Sequence, residues 1–260
     1  MRAPAFFVAH GAPSLALEHD DFTQAAGTFG ESLRDVQAIA FVSAHWQARE
    51  VRVNAVAHPE PVYDFSGFSP DLYTMRYDAP GAPELAREIA TLLDAPLETG
   101  RGWDHGLWVP MLHILPEART PIVEIALPYP ADPDDLLRIG RALAPLRERG
   151  IAIAGSGGIV HNLRMLDFAN KNAPPLEWAA EFDRWIADRI ASRDFEAVAG
   201  YRAAPGASLS VPTPEHFEPL LIALGAAHPD DRLQTIYEGF QYASLSMRSM
   251  AWSAAAMPPL

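Results

Sequence analysis

Residues 5–11 read AFFVAHG, a short apolar run that ends at a histidine and a glycine. A continuous apolar segment of this length is typical of a strand buried on both faces, and the glycine marks the loop that follows. Residues 38–46, AIAFVSAHW, repeat the pattern, because a second apolar run leads into a second histidine. The two segments predict two buried strands, each followed by a histidine.

Similar apolar runs recur along the chain and alternate with amphipathic segments. Residues 121–127 and 151–154 predict two more buried strands, and residues 134–149 predict a helix that stops at Gly150. Strands that alternate with helices form a mainly parallel sheet with helices on both faces. We therefore expect a single-domain, three-layer α/β/α fold with a mainly parallel or mixed central sheet, formed by residues 1–260.

The composition excludes several classes of protein. The chain has 260 residues, a formal net charge of −13 and no cysteine. Disulfides, cysteine-ligated zinc, iron–sulfur clusters and cysteine nucleophiles are therefore excluded, and any metal must be held by nitrogen and oxygen. No basic patch suggests a nucleic-acid binder, no apolar run is long enough to span a bilayer, and the first residues lack a signal peptide. We expect a cytoplasmic protein that binds neither nucleic acid nor a membrane. The oligomeric state is not indicated.

Five histidines lie within short motifs, four of which fall at predicted strand ends or in predicted loops: His10, His45, His105, His161 and His216. Active sites of parallel sheets form beyond the carboxyl ends of the strands. Imidazole is a frequent ligand of transition metals and the usual acid–base group near neutral pH. The motifs therefore favour one shared metal site. The alternative is that these histidines are structural and hydrogen-bond to loop backbone.

The segment PTPEHFEPL carries three candidate groups, Glu215, His216 and Glu218, at the start of a predicted helix. We predict that Thr213 caps this helix and that it continues to Leu224. Spacing alone does not choose between Glu215 and His216 as a third metal ligand. The alternative is ordinary helix-start chemistry, in which acidic side chains favour the helix dipole.

The segment WDHGLWVPM places Asp104 and His105 between two tryptophans. His105 is a candidate to bind a substrate oxygen, and Asp104 is a candidate to orient a ring nitrogen of a metal ligand. A rigid aromatic loop without a catalytic role is the alternative. Four aromatic side chains near the motifs are predicted to form the walls of an apolar pocket: Trp46, Tyr63, Phe65 and Trp108.

Together, these segments resemble the class III extradiol ring-cleavage dioxygenases, in particular the branch that is similar to DOPA dioxygenase. Any one motif is weakly specific, whereas the ordered set is highly specific. The matching segments, in the family's order and spanning nearly the whole chain, are HGAPS (10–14), SAHW (43–46), VYDFSGFSPDLYTMRYDAPGAP (62–83), WDHGLWVPM (103–111), GSGGIVHNLR (155–164), PTPEHFEPLL (212–221) and EGFQYASLSMRS (238–249).

The resemblance implies a mononuclear non-haem metal, normally Fe(II), with Zn(II) often present in purified relatives. It implies that His10, His45 and His216 are the metal ligands, which favours His216 over Glu215. His161 corresponds to an acid–base residue that is sometimes counted as a fourth ligand. His105 corresponds to a residue that contacts a substrate oxygen.

The resemblance further implies that the protein inserts O2 into a catechol similar to DOPA and opens the aromatic ring next to the diol. Two positions depart from the family pattern. Ala12 stands where the first motif more often has Ser, and Gly158 stands where the glycine loop more often has Asn. Both departures bear on substrate preference more than on activity. The alternatives are a zinc-dependent hydrolase and a relative of the same fold that binds a metal or ligand without catalysis.

Overall fold

A computed structural model describes residues 2–254 of the chain. The strands in this range are β1 Ala5–Ala9, β2 Ala38–Ala48, β3 Val53–Asn54, β4 Leu97–Glu98, β5 Ile122–Pro128, β6 Ile151–Gly157, β7 Arg232–Tyr237, β8 Phe240–Gln241, β9 Leu245–Ser246 and β10 Ser249–Ser253. The α-helices are α1 Asp21–Glu31, α2 Pro83–Leu93, α3 His105–Ile114, α4 Pro133–Leu143, α5 Glu177–Ala191, α6 Phe195–Ala199, α7 Ala207–Ser210 and α8 Glu218–Ala226. Short 3-10 helices cover Pro13–Leu17, Pro70–Thr74, Ala144–Arg149, Leu163–Met165 and Tyr201–Ala203.

Eight strands form one mixed sheet in the order β4-β3-β5-β2-β6-β1-β10-β7. The four central strands β5, β2, β6 and β1 are parallel. On one side, β10 and β7 continue the sheet antiparallel, and on the other, β3 pairs antiparallel with β5. The parallel pairs require crossover helices, which is why helices cover both faces of the sheet.

The central strands are buried on both faces, so their side chains alternate between two separate cores. In β1, Phe7 belongs to the core beneath α4, α5 and α8, whereas Phe6 and Val8 belong to the core beneath α1 and α3. This alternation follows from the twofold repeat of a strand. The three-layer α/β/α fold with a mixed central sheet is confirmed.

The carboxyl ends of β1, β2 and β6 lie next to one another at the same edge of the sheet, because these strands are parallel neighbours. His10 follows β1 directly, and His161 lies in the loop after β6. His45 lies within β2, which continues to Ala48 past a shift in its pairing with β5. The expectation that His45 follows the end of its strand is therefore wrong by a few residues, although its side chain still reaches the shared edge.

Two local predictions are wrong. The helix expected to begin at Thr213 begins at Glu218, so His216 lies in the preceding turn. The reason is tertiary: the His216 carbonyl accepts a hydrogen bond from the Gly158 amide, which holds this segment against the end of β6. The segment expected to be an aromatic loop begins helix α3 at His105, with Asp104 as its N-cap residue.

Candidate metal centre and active site

His10 is buried at the carboxyl end of β1, and its Nδ1 lies 3.0 Å from the hydroxyl oxygen of Ser156 on β6. That hydroxyl donates to the carbonyl of Gly106, at 2.5 Å, so it accepts from the imidazole. His10 therefore carries its proton on Nδ1, and its Nε2 lone pair points away from the Ser156 contact. A ring fixed in this tautomer is suited to bind a metal through Nε2.

Carboxylates also face Nδ1 of the other two rings, through a hydrogen bond at His216 and a close contact at His45. His216 Nδ1 donates to Glu215 Oε1 at 3.1 Å, and that oxygen also accepts from the Thr213 hydroxyl. His45 Nδ1 lies 3.3 Å from Asp64 Oδ2. In both rings Nδ1 faces a carboxylate, which leaves Nε2 as the nitrogen available to a ligand.

The Nε2 atoms of these three histidines converge. His45 Nε2 lies 3.2 Å from His10 Nε2 and 3.3 Å from His216 Nε2. Two nitrogens bound at about 2.1 Å to one ion lie about 3.0 Å apart at a right angle and about 3.4 Å apart at the tetrahedral angle. The two distances from His45 therefore fit the ligand spacing of a single transition-metal ion, and the ligand atoms of all three histidines lie within 4.8 Å of one another. Nitrogen donors suit iron and zinc.

Burial keeps these imidazoles neutral near pH 7. Burial, reinforced by the neighbouring imidazoles, holds the pKa of His10 and of His216 well below its usual range. Burial lowers the pKa of His45 to about 4, with His105 adding to the effect and nearby carboxylates opposing it. Only a neutral imidazole binds a metal, so the site requires no proton release before it takes up an ion.

The glycines of the GSGG loop make the approach of His216 possible. A Cβ on Gly157 would lie 1.9 Å from the carbonyl oxygen of His216. The Gly158 amide donates to the same carbonyl at 2.8 Å. The absence of a side chain at Gly157 therefore lets the His216 turn lie directly on the end of β6, beside His10.

His161 lies against the cluster formed by His10, His45 and His216 but is not part of it. Its ring stacks on that of His216, with centroids 3.5 Å apart and planes inclined by 6°. Burial, with His45 as the next cause, lowers the pKa of His161 to about 4. Among residues 2–254, the clusters of potential ligand atoms are His10, His45 and His216, and His45, Asp64 and His105. His161 belongs to neither cluster, so this geometry fits three histidine ligands without a fourth.

Asp64 links the cluster of His10, His45 and His216 to His105. The motifs in the sequence did not lead us to predict a role for Asp64. Its Oδ1 accepts from both Nδ1 and the backbone amide of His105, at 2.8 and 3.1 Å. Its Oδ2 faces His45. These imidazoles keep the pKa of Asp64 below its usual range although burial opposes them. A sequence signal existed, because Asp64 is the acidic residue between the aromatic residues Tyr63 and Phe65 in a family segment.

Asp104 does not orient a ring nitrogen of a metal ligand. Its carboxylate accepts from the Ser43 hydroxyl at 2.6 Å and from the Arg101 guanidinium at 2.7 Å. Arg101 also donates to the backbone carbonyl of His45. Asp104 therefore fixes the backbone around His45 and the start of α3, and the orienting role falls to Asp64, Glu215 and the Ser156 hydroxyl.

Glu215 and Glu218, the two acidic candidates in the His216 segment, lie outside the cluster of three histidines. Glu215 accepts from His216 Nδ1 and so lies on the far side of that ring from the converging Nε2 atoms. Glu218 is buried at the start of α8, and burial raises its pKa to about 7. Of the two side chains that spacing could not separate, His216 is the one that reaches the cluster.

The histidines open into a cavity of about 360 Å³. Its lining is mostly apolar apart from the histidines, Asp64 and two serines: His10, Gly11, Ala12, Pro13, Ser14, His45, Asp64, Phe65, Ser66, Phe68, His105, His161, Leu163, Leu166, Phe168, His216, Tyr242 and Leu245. All five motif histidines reach this one cavity.

Of the four aromatic residues expected to form the pocket walls, Phe65 lines the cavity and the other three do not. Tyr63 and Trp108 pack behind Phe65, each with a ring centroid 6.2 Å from that of Phe65. Trp46 is buried beneath the guanidinium of Arg101. Tyr63 and Trp108 therefore support the wall from behind, whereas the ring of Trp46 packs against Arg101.

No helix in the described part of the chain has both the length and the hydrophobicity needed to span a bilayer.

Comparisons with known proteins agree with this geometry. The family model described as the catalytic LigB subunit of aromatic ring-opening dioxygenase matches residues 5–252. The chain is 34% identical to a 4,5-DOPA dioxygenase extradiol of Beta vulgaris, over 96% of both chains. It is 35% identical to the Escherichia coli K12 protein of the same name, over 96% of this chain and 94% of the relative.

A solved structure supports the same assignment. The crystal structure of an uncharacterised Escherichia coli K12 protein superposes with a TM-score of 0.82 at 32% identity, covering 96% of this chain and 99% of the other. The expected enzyme class, a ring-opening oxidoreductase that uses a small-molecule substrate and O2, is confirmed by the family match over residues 5–252. The chain belongs to the LigB family of aromatic ring-opening dioxygenases, which are the class III extradiol enzymes.

Proposed function

We propose that the protein is an extradiol dioxygenase that depends on a non-haem metal and opens the ring of a catechol of the DOPA type. One observation carries the proposal: the Nε2 atoms of His10, His45 and His216 converge at 3.2 and 3.3 Å with their Nδ1 atoms turned outward. Relatives at 34–35% identity carry the name 4,5-DOPA dioxygenase extradiol, which makes DOPA the first substrate to test.

The residues that would hold the metal are His10, His45 and His216. Fe(II) is the proposed ion because the reaction with O2 needs a redox-active metal, and the same nitrogens would also bind Zn(II) in the purified protein. When bound, Fe(II) would supply a Lewis-acidic and redox-active centre at which the diol and O2 meet. The bond next to the diol breaks and both atoms of O2 enter the product. The catechol supplies the electrons, so no further co-reactant is needed.

His161 is the proposed proton carrier. Its lowered pKa of about 4 leaves the ring neutral near pH 7, so it can accept a proton from a catechol hydroxyl. The ring lines the cavity and stacks on the proposed metal ligand His216, and both observations support a position beside the diol. The same ring would return the proton as the aromatic ring opens.

His105 is the proposed contact to a substrate oxygen. Because its Nδ1 donates to Asp64, Nε2 is the nitrogen left for a substrate. Asp64 would hold this ring in place while negative charge develops on the oxygen that it contacts. Phe65 is the proposed wall for the aromatic ring, since its own ring packs edge-on against His105 at 5.6 Å.

The proposal is tested by loading the apoprotein with Fe(II) without oxygen, verifying the metal content, and then adding DOPA and ¹⁸O2. We expect oxygen uptake, a yellow ring-opened product and ¹⁸O retained in the new carboxylate of that product, because the oxygen of the new aldehyde exchanges with water. His216→Ala should bind less metal and lose turnover. The matched control is His58→Ala, because His58 is an exposed histidine outside the cavity.

Two results would overturn the proposal. The first is the absence of oxygen uptake across a panel of catechols when iron loading has been verified. The second is full metal binding by the His216→Ala variant. A zinc-loaded protein that hydrolyses an ester but opens no catechol would favour the hydrolase alternative.

A further inference from the structure

The cavity has two ends of different chemistry. The five motif histidines are buried or half-buried and form the deep end, whereas the exposed side chains of the lining, Phe68, Leu163 and Phe168 together with Ser66, form the mouth. At about 360 Å³ the cavity lies near the lower end of the range for small-molecule sites, which is enough for an aromatic ring with a short substituent. If the diol occupies the deep end, the ring substituent points toward the mouth.

Among the side chains that line this cavity there is no lysine and no arginine. The lining carboxylate, Asp64, is engaged by His105. A nearby cation is Lys171, whose backbone carbonyl accepts from the amide of Tyr242 at the mouth. Its ammonium is already paired with Glu18 and Asp20. Arg164 is exposed next to Leu163 but does not line the cavity. A substrate carboxylate that packs against the lining and loses water there would therefore gain no cationic partner from the lining, which is unfavourable.

Large apolar side chains at the mouth are also exposed to solvent. Phe168 is 74% exposed and Leu163 is 56% exposed, and Phe68 faces the same opening. Phe168 lies 6.1 Å from the ring of Tyr242, so the exposed groups form a continuous apolar surface with the lining. Exposed apolar groups that border a cavity gain stability when a ligand covers them.

We propose that the enzyme opens catechols with a neutral, apolar substituent, such as an alkyl or aryl group, faster than it opens DOPA and other catechols with a charged side chain. This inference rests on the proposed extradiol function and narrows its substrate class. Both observations point the same way, because the mouth offers apolar surface to a hydrocarbon substituent and no counter-charge to a carboxylate.

Pairs of substrates with similar shape and different charge test the inference on the Fe(II)-loaded enzyme. The first pair is 4-propylcatechol and 3-(3,4-dihydroxyphenyl)propionate, and the second is 4-ethylcatechol and dopamine, with DOPA measured beside them. We expect kcat/KM for each neutral member to exceed that of its charged partner by about tenfold or more. Along the series from methyl to propyl, each methylene that becomes buried should add up to about fourfold.

Two variants connect the preference to the mouth. Leu163→Arg adds a cation there and should raise kcat/KM for the propionate relative to 4-propylcatechol. The matched control is Leu92→Arg, which makes the same change at an exposed position of α2 away from the cavity and should leave the ratio unchanged. Phe168→Ala should lower kcat/KM for 4-propylcatechol by a larger factor than that for unsubstituted catechol.

The outcomes separate the two proposals. Turnover of DOPA or the propionate as fast as, or faster than, the neutral catechols would overturn this inference and leave the extradiol function intact. An equal effect of Leu163→Arg and Leu92→Arg on the ratio would also overturn it. Failure to open any catechol with verified iron would instead overturn the proposed function.

Discussion

The imidazole of His161 lies flat against that of His216, with ring centroids 3.5 Å apart. Parallel stacking places one ring beside the other, so the two rings do not point their nitrogens at the same atom. The proposed metal ligand His216 and the proposed proton carrier His161 are thus in direct contact, but their nitrogens are directed at different atoms.

Replacing His161 tests this division directly. His161→Ala should keep the metal and lower kcat by about 100-fold or more, because proton transfer is lost while the three ligands remain. His161→Phe is the matched variant, since it keeps an aromatic ring against His216 without a titratable nitrogen. Metal content by mass spectrometry and steady-state kcat are the measurements. Loss of metal in both variants would identify His161 as a ligand.

Asp64 should act on metal affinity and turnover together, because its two oxygens serve His45 and His105. In Asp64→Asn only one oxygen remains, so one of the two rings loses its acceptor. We expect metal affinity about 10- to 100-fold weaker, together with a lower kcat/KM at saturating metal. Co(II) titration of the apoprotein measures the first effect. Asp71→Asn, at an exposed position outside the cavity, is the control. Unchanged Co(II) affinity would remove Asp64 from the support of His45.

Substitution by alanine should have very different effects at Gly157 and Gly158, although the two residues are adjacent. A Cβ on Gly157 would meet the His216 carbonyl oxygen at 1.9 Å, whereas a Cβ on Gly158 would meet nothing closer than 3.6 Å. Gly157→Ala should therefore displace the His216 turn, weaken metal binding and lower the free energy of unfolding by about 2 kcal/mol or more. Gly158→Ala should leave both nearly unchanged. Urea unfolding and Co(II) titration measure the two effects, and equal behaviour of the two variants would contradict the packing described.

Glu124 should make the protein less stable as the pH rises. It is fully buried on β5 and neither of its carboxylate oxygens has a hydrogen-bond partner, although Arg101 Nε lies 3.5 Å from Oε2. Burial, together with the Asp104 carboxylate, raises its pKa well above the usual value of 4.5, and the Arg101 guanidinium only partly opposes this shift. The unfolded chain therefore releases this proton at lower pH than the folded chain does. The free energy of unfolding should fall above about pH 4.5, by up to about 1.4 kcal/mol per pH unit, until the folded pKa is reached.

Glu124→Gln removes this titration, so its advantage in stability over the parent protein should grow between pH 5 and pH 8. Urea unfolding at several pH values measures the difference. Glu181→Gln removes the same charge from an exposed position on α5 and serves as the control. A difference between Glu124→Gln and the parent that stays constant with pH would mean that Glu124 is ionised in the folded protein.

The sequence alone predicts the position of a site residue where that residue directly follows a recognisable strand. The apolar run of β1 leads straight into His10, and the glycines after β6 lead to His161, so both positions follow from strand ends alone. The choice of His216 over Glu215 needed the family resemblance, because both residues lie in one turn. The structure supplies the physical distinction: Glu215 accepts from His216 Nδ1, which directs the other nitrogen of that ring inward.

Other parts of the site depend on tertiary contacts that no local pattern encodes. Asp64 lies in an irregular segment, and its role follows only from its position between His45 and His105. The helix predicted from Thr213 begins later because backbone contacts with the GSGG loop hold the His216 turn. The pocket walls were assigned by aromatic character alone, which does not distinguish Phe65 on the cavity from Trp108 in the core.

The contact between the His216 turn and β6 also bears on when the three-histidine cluster is complete. His10 and His45 leave the ribosome early in synthesis, whereas His216 emerges when most of the chain has been made. Two imidazoles on an incomplete sheet form only part of the cluster. The cluster is therefore completed only when the His216 turn and α8 have docked onto the finished sheet, so that it is a product of late folding.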